Sequence, residues 1–135
     1  SSVAMTEALN KKPARDPVLE QLIATFPAFR DTLPLAIGIH KLIRERLPEL
    51  TRDQVGRALR IHTGSTRYLK ALSRAEQRFD LDGQPAGEVT EEQRKQAAGQ
   101  VRERIQKANE RRKAEEEAKR KQEKLQQLAA KFNQR

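Results

Sequence analysis

Apolar side chains recur along this chain in short bursts, each with its own period and each bounded by proline, glycine or a helix-capping residue. The first burst follows Asp16-Pro17, an N-cap residue with proline at the first helical position. Val18, Leu19, Leu22, Ile23 and Phe26 then fall at helical spacing until Pro27, which predicts a short amphipathic helix over 17–25. Pro34 opens a second burst, in which Leu35, Ile39, Leu42, Ile43 and Leu47 share one helical face before Pro48 ends it. Gly38 lies inside that segment and suggests close approach of another backbone. Thr51-Arg52-Asp53-Gln54 reads as a capping box for a third helix over 52–61, with Val55, Ala58, Leu59 and His62 as its buried stripe.

Thr63-Gly64-Ser65 interrupts that helix. Gly64 is free to adopt a positive φ, and Thr63 or Ser65 can cap a short helix running to about residue 72. The period then changes from helical to alternating across "RFDLDGQPAGEV" (78–89), where Phe79 and Leu81 flank Asp80. Asp82-Gly83 marks a turn, so the segment predicts a small β-hairpin with Val89 on the returning strand.

Thr90-Glu91-Glu92-Gln93 is a second capping box, and no proline follows it before about residue 131. Ala97, Val101, Ile105 and Ala108 form an apolar stripe that predicts docking for the first half of this long helix. From Arg111 to Lys124 the only apolar residues are Ala114 and Ala118. That stretch has nothing to bury, and reads as a solvated helix or frayed tail supported by pairs such as Glu115–Lys119 and Glu116–Arg120. Leu125, Leu128, Ala129 and Phe132 close the chain with a small apolar patch. The pattern as a whole is a mostly α fold with one hairpin.

Composition narrows the class of partner. The 135 residues carry a net charge of +9, and residues 90–135 hold fourteen basic and eight acidic side chains, so most of the excess lies in the C-terminal third. A chain this basic takes polyanions as partners, nucleic acid before an anionic membrane. There is no cysteine, which removes disulfides, thiolate metal sites and Cys nucleophiles and fits an intracellular protein. No apolar run is long enough to span a membrane, and the N-terminus lacks the apolar stretch of a signal peptide. Residues 1–4 precede Met5 and read as a vector remnant, and residues 1–15 read as a disordered segment.

Phosphate-cradling, zinc-hydrolase and serine-hydrolase motifs are missing from the sequence. His40 and His62 stand without carboxylates at ligand spacing, and Asp80-x-Asp82-Gly83 has Pro85 where a calcium loop needs glycine. Neither catalytic residues, a cofactor nor a metal is expected.

The informative cluster is basic. Arg52, Arg57, Arg60, Arg67, Lys70, Arg74 and Arg78 are opposed between residues 52 and 78 only by Asp53 and Glu76. Arginine dominates, and its planar fork binds phosphate in a bidentate manner and stacks on bases. If a helix starts at Thr63–Ser65, its first N–H groups form an anion site that Arg60 and Arg67 can flank. Tyr68, the single tyrosine, lies three residues past Ser65. It offers a ring for stacking or a hydroxyl for a ribose, and the same spacing suits a half-buried packing residue equally.

Taken in order, "FPAF" (26–29), "PLAIGI" (34–39), "ALRIHTGSTRYLKAL" (58–72), "RFDLDGQPAGEV" (78–89) and "TEEQ" (90–93) carry a likeness to a known family. From about Leu19 to Ala108 the chain resembles the ProQ/FinO family of bacterial RNA chaperones. The resemblance implies a compact helical RNA-binding domain over 16–108 with one small hairpin and a basic concave face, followed here by a basic helical extension, 109–135. It implies binding to structured RNAs at a terminator-like hairpin base and its single-stranded 3′ end, stabilisation of small RNAs, and promotion of RNA–RNA pairing with mRNAs. Carried over by position, Thr63, Gly64, Ser65, Arg67 and Tyr68 sit at the RNA end, with Arg60, Arg52, Lys70 and Arg78 on the same basic face. The sequence departs from the family at Ala36 and Gly56, where relatives often carry a basic residue, with Arg57 an imperfect substitute for the second. It departs also at His62 and Thr66, which replace a frequent tyrosine and tryptophan. A monomeric, cytoplasmic protein follows from this reading. The competing one is a DNA-binding or nucleoid-associated protein, because the helices on either side of Gly64 resemble a helix-turn-helix.

Overall fold

The computed structural model describes residues 15–134; the segment before Arg15, on which the expectation of N-terminal disorder falls, lies outside them. The described residues form six helices and two short strands: α1 (Pro17–Thr25), α2 (Pro27–Arg30), α3 (Ile39–Arg46), α4 (Arg52–Thr63), α5 (Thr66–Arg74), β1 (Gln77–Phe79), β2 (Pro85–Glu88) and α6 (Glu91–Asn133).

Local chemistry sets most of the boundaries. Asp16 caps α1, with Oδ1 accepting from the amides of Val18 (3.0 Å) and Leu19 (3.2 Å). Its other oxygen accepts from Arg57 Nε at 2.8 Å, which ties the start of α1 to the middle of α4. That bond, ahead of the burial that opposes it, holds the Asp16 carboxyl below its usual range. Both capping boxes form, Thr51 with Gln54 at α4 and Thr90 with Gln93 at α6. Leu22, Phe29, Ile43, Leu81 and Val55 are the large side chains sealed in the core between α1, α2, α3, α4 and the hairpin.

The second apolar burst folds differently from its period. Only Ile39–Arg46 is helical, and Leu35 instead makes a parallel bridge with Phe79. The Phe79 amide donates to Pro34 O and the Ala36 amide donates to Phe79 O, both at 2.8 Å. The segment 34–36 thus lies along the free edge of the hairpin. Gly38 is the N-cap of α3 with φ +81°, and a Cβ there would meet nothing within 4 Å. Its role is left-handed backbone, which glycine adopts without steric cost, and not the close approach of another backbone that its place in the burst suggests.

The hairpin pairs Gln77 with Glu88 and Phe79 with Pro85, with one irregularity between them. Asp80 Oδ1 accepts from the amides of Asp82 (3.0 Å) and Gln84 (2.9 Å), which builds the predicted turn. Val89 lies one residue past β2, buried, with its amide on Glu76 O.

α6 runs antiparallel to α5. Arg94 Nη1 donates to Ala75 O at the end of α5, and Arg104 Nη1 donates to Thr66 Oγ1 at its start. Docking is shorter than the predicted stripe: Ala97 is buried and Val101 half-buried, but Ile105 is 50% exposed and Ala108 lies in solvent. From Gln106 onward α6 projects about 40 Å into solvent. Ion pairs one turn apart form at Glu91–Lys95 and Glu103–Lys107, and not at the two pairs predicted beyond residue 111. Among the described residues, no helix is long and apolar enough to cross a membrane.

Candidate functional site

The α4–α5 turn places the first backbone amides of α5 at the surface. Ser65, not Thr63, is the cap: its Oγ accepts from the Tyr68 amide (3.2 Å) and donates to His62 O (2.7 Å). Thr63 belongs to the last turn of α4, where its hydroxyl donates to Leu59 O at 2.8 Å. Gly64 has φ −85°, so the predicted positive φ is corrected. A Cβ at that position would lie 2.9 Å from Arg60 O, so glycine serves here by letting the chain turn tightly over α4. With Tyr68 N capped, the amides of Thr66 and Arg67 have no backbone partner among the described residues. Two open N–H groups at the positive end of a helix make an anion site.

Exposed arginines stand on the three elements that meet at this turn. Arg67 is exposed in the first turn of α5, and Arg60 is exposed in the last turn of α4. Arg104 of α6 reaches Thr66 at 3.0 Å. It belongs to the same site and has no sequence signal, because only the antiparallel docking of α6 brings a residue 38 positions away to this turn. Arg52 is exposed at the start of α4, two turns from Arg60 on the same side, and Lys70 is exposed one turn further along α5. Gly56 lies beneath Arg60, whose Nη1 would be 3.4 Å from a Cβ there. Arg57 is engaged by Asp16 and does not stand in for a cation at position 56.

Two expected site residues have internal tasks. Tyr68 is 4% exposed, and its Oη accepts from the Leu35 amide at 3.0 Å. A ring at this depth cannot stack on a base. The packing alternative describes it, because Ser65 is the cap and the position three residues later turns toward the core. Arg78 is also drawn inward: Nε donates to Glu88 O (3.2 Å), Nη1 to Leu35 O (3.0 Å) and Nη2 to Gln93 Oε1 (3.1 Å). It joins the hairpin, the 34–36 edge and the start of α6. Among the described residues, no cluster of His, Cys, Asp and Glu is placed to hold a metal ion.

A family model described as "ProQ/FINO family" matches residues 13–131. The chain belongs to the ProQ/FinO family. Curated relatives include "RNA chaperone ProQ" of Shewanella oneidensis, 37% identical over 116 residues, which cover 81% of this chain and 54% of the relative. The protein of the same description from Aeromonas salmonicida is 37% identical over 107 residues, 74% of this chain and 51% of the relative. The chain therefore spans about half the length of the curated relatives it matches. Among solved structures, a FinO-like RNA chaperone from Neisseria meningitidis superposes with a TM-score of 0.58 at 35% identity, covering 59% of this chain and 85% of that one.

Beneath the turn of this ProQ/FinO chain lies His62, which is 7% exposed. Its ring centroid is 4.7 Å from that of Phe29 and 5.4 Å from that of Tyr68. Burial first, and then the positive Arg67, hold the imidazole below its usual 6.5, so it is neutral in the fold. The unfolded chain takes up a proton near that value which the folded chain resists. The stabilisation is therefore complete above about 6.5 and is lost as pH falls below it. Thermal melts from about pH 7 to about pH 5 should show a falling midpoint, and His62→Phe should flatten that slope. An equal slope in both proteins would place the titrating group elsewhere.

Proposed function

We propose that this chain is a non-catalytic RNA-binding protein that captures the 3′ ends of structured RNAs at the start of α5. One observation carries the reading: the open Thr66 and Arg67 amides begin α5 at a turn where Arg67 is exposed and Arg104 is held on Thr66, with Arg60 exposed on the last turn of α4. Such a site suits the phosphates of a single-stranded end that leaves a hairpin base. Its relatives being named RNA chaperones supports RNA as the polyanion. Arg52 and Lys70 extend the positive surface on either side for the stem. The exposed length of α6 offers further basic side chains on which a second strand can gather, consistent with promotion of RNA–RNA pairing. Because phosphate contacts supply most of the affinity, binding falls steeply with added salt. A helix-turn-helix reading fits less well, since α5 is only nine residues long and α6 packs along it.

The test is a titration with one hairpin RNA in two forms, with a single-stranded 3′ tail and with that tail removed. The tailed form should bind about tenfold tighter or better, the scale of a charge-assisted hydrogen bond. Equal binding would mean that net charge alone acts and that the α5 start is not a site.

A further inference from the structure

Every residue of α6 from Arg102 to Asn133 is exposed, and its last turns carry three large apolar side chains: Leu125 at 64%, Leu128 at 53% and Phe132 at 72%. Helices in proteins draw most of their stability from packing one face, and this length of α6 packs on nothing within the chain. Seven residues are almost two turns, so Ala118, Leu125 and Phe132 stand in line, with Ala114 and Ala129 close beside them.

The charges ahead of this apolar patch come in blocks. Arg111-Arg112-Lys113, Glu115-Glu116-Glu117 and Lys119-Arg120-Lys121 are separated only by Ala114 and Ala118. Glu115 and Lys119 fall on one flank of the line through Ala118, Leu125 and Phe132, and Glu117 and Lys121 fall on the other. Glu116 and Arg120 point away from it. None of the four flanking charges forms an ion pair among the described residues.

We propose that this face of α6 pairs with the same face of a second copy of the chain, antiparallel, with the two-fold axis at Ala118. Such an axis sets like flank against like flank. It brings Glu115 to Lys119 of the second copy and Glu117 to Lys121 of the second copy, each pair occurring twice by symmetry, while Ala118 packs on Ala118. Flanking charges of this kind select the partner and its direction. A parallel pair would set each block level with its own sign. An antiparallel pair centred on Ala114 also matches charge, but it runs Phe132 level with the segment around buried Ala97, where α6 is docked on α5. Centred on Ala118, residues 125–132 lie level with 104–111 of the other copy, where Ala108 is exposed and the stem of Arg111 can cover Leu125. The stretch 111–124, which has nothing to bury, thus sets the register through charge, and the apolar contacts lie beyond it. The monomer expected from the sequence becomes one half of a pair whose two α5 starts stand about 40 Å apart along the helix axes. The pairing stands whether or not the α5 start captures RNA.

Sedimentation equilibrium of the full chain at rising concentration should show the mass climbing from one chain towards two. The mass of one chain throughout, as a tail folded back on its own domain would give, overturns the proposal. Glu115→Lys with Glu117→Lys makes one variant, and Lys119→Glu with Lys121→Glu makes a second. Each alone should associate at least about tenfold more weakly than the native chain. An equimolar mixture should recover the native association, because the mixed pair sets opposite charges together on both flanks. No recovery in the mixture would mean that these flanks do not meet. The chain has no cysteine, so Ala118→Cys and Phe132→Cys each introduce a single thiol. On oxidation Ala118→Cys should cross-link into a dimer and Phe132→Cys should not, since the two copies of residue 132 lie about 40 Å apart, beyond the reach of a disulfide. Cross-linking of both would make the pair parallel, and cross-linking of Phe132→Cys alone would move the contact to the chain end; either rejects the proposed register.

Discussion

Tyr68→Ala is expected to destabilise the fold by about 3–5 kcal/mol, the usual loss for truncating a large buried aromatic. The ring is 4% exposed and packs against His62, and its hydroxyl is the acceptor for the Leu35 amide. Removing it opens a cavity and leaves that N–H unpaired in the core. It also loosens the 34–36 edge that is paired to Phe79. In a domain of this size about 1 kcal/mol moves the melting midpoint by several degrees, so the variant should melt far below the native chain or fail to fold. Tyr68→Phe keeps the ring and removes only the acceptor, with an expected loss of about 1–3 kcal/mol. Denaturant titration of both variants checks this. A Tyr68→Ala protein as stable as the native one would return the tyrosine to the surface role. Any RNA-binding defect in Tyr68→Ala reports first on stability, which makes Tyr68→Phe the variant for binding work.

Thr66→Pro is expected to weaken binding of tailed RNA by roughly 10- to 100-fold while the helix remains. Thr66 is the first residue of α5, where proline is tolerated because its missing N–H has no helical partner. Ser65 before it has φ −71° and ψ 148°, the extended conformation that a residue preceding proline prefers. The substitution therefore deletes one of the two open amides without breaking a backbone hydrogen bond. It also removes the hydroxyl that accepts from Arg104, so Thr66→Val, which keeps the amide, is the matched control. The difference between the two variants is the contribution of the amide. Equal affinities, with both proteins folded, would mean that the helix start does not hold phosphate.

Features that depend on near neighbours are legible in the order of residues alone. Asp16-Pro17, Thr51 with Gln54, and Thr90 with Gln93 each form the cap that their spacing implies. Asp80 builds the turn at Asp82-Gly83 from its own side chain. In every case the donor and acceptor lie within four residues, so the contact follows from residue type and local backbone geometry. The same holds for Ser65, the cap that opens the candidate anion site.

Other residues are decided by partners remote in the chain. Leu35 has helical spacing with Ile39, yet pairing with Phe79 outweighs it and the helix starts only at Ile39. Arg78 sits among surface-like basic residues but finds three acceptors on the hairpin, the 34–36 edge and α6. Tyr68 could face either way from its spacing, and the otherwise unsatisfied amide of Leu35 draws it inward. Arg104 joins the α5 start only because α6 returns antiparallel. Short-range hydrogen bonds and capping thus follow from the order of residues. Which cations remain free, which apolar residues are sealed and which polar atoms stay unpartnered depend on burial and on contacts that close long loops, and those exist only once the chain has packed.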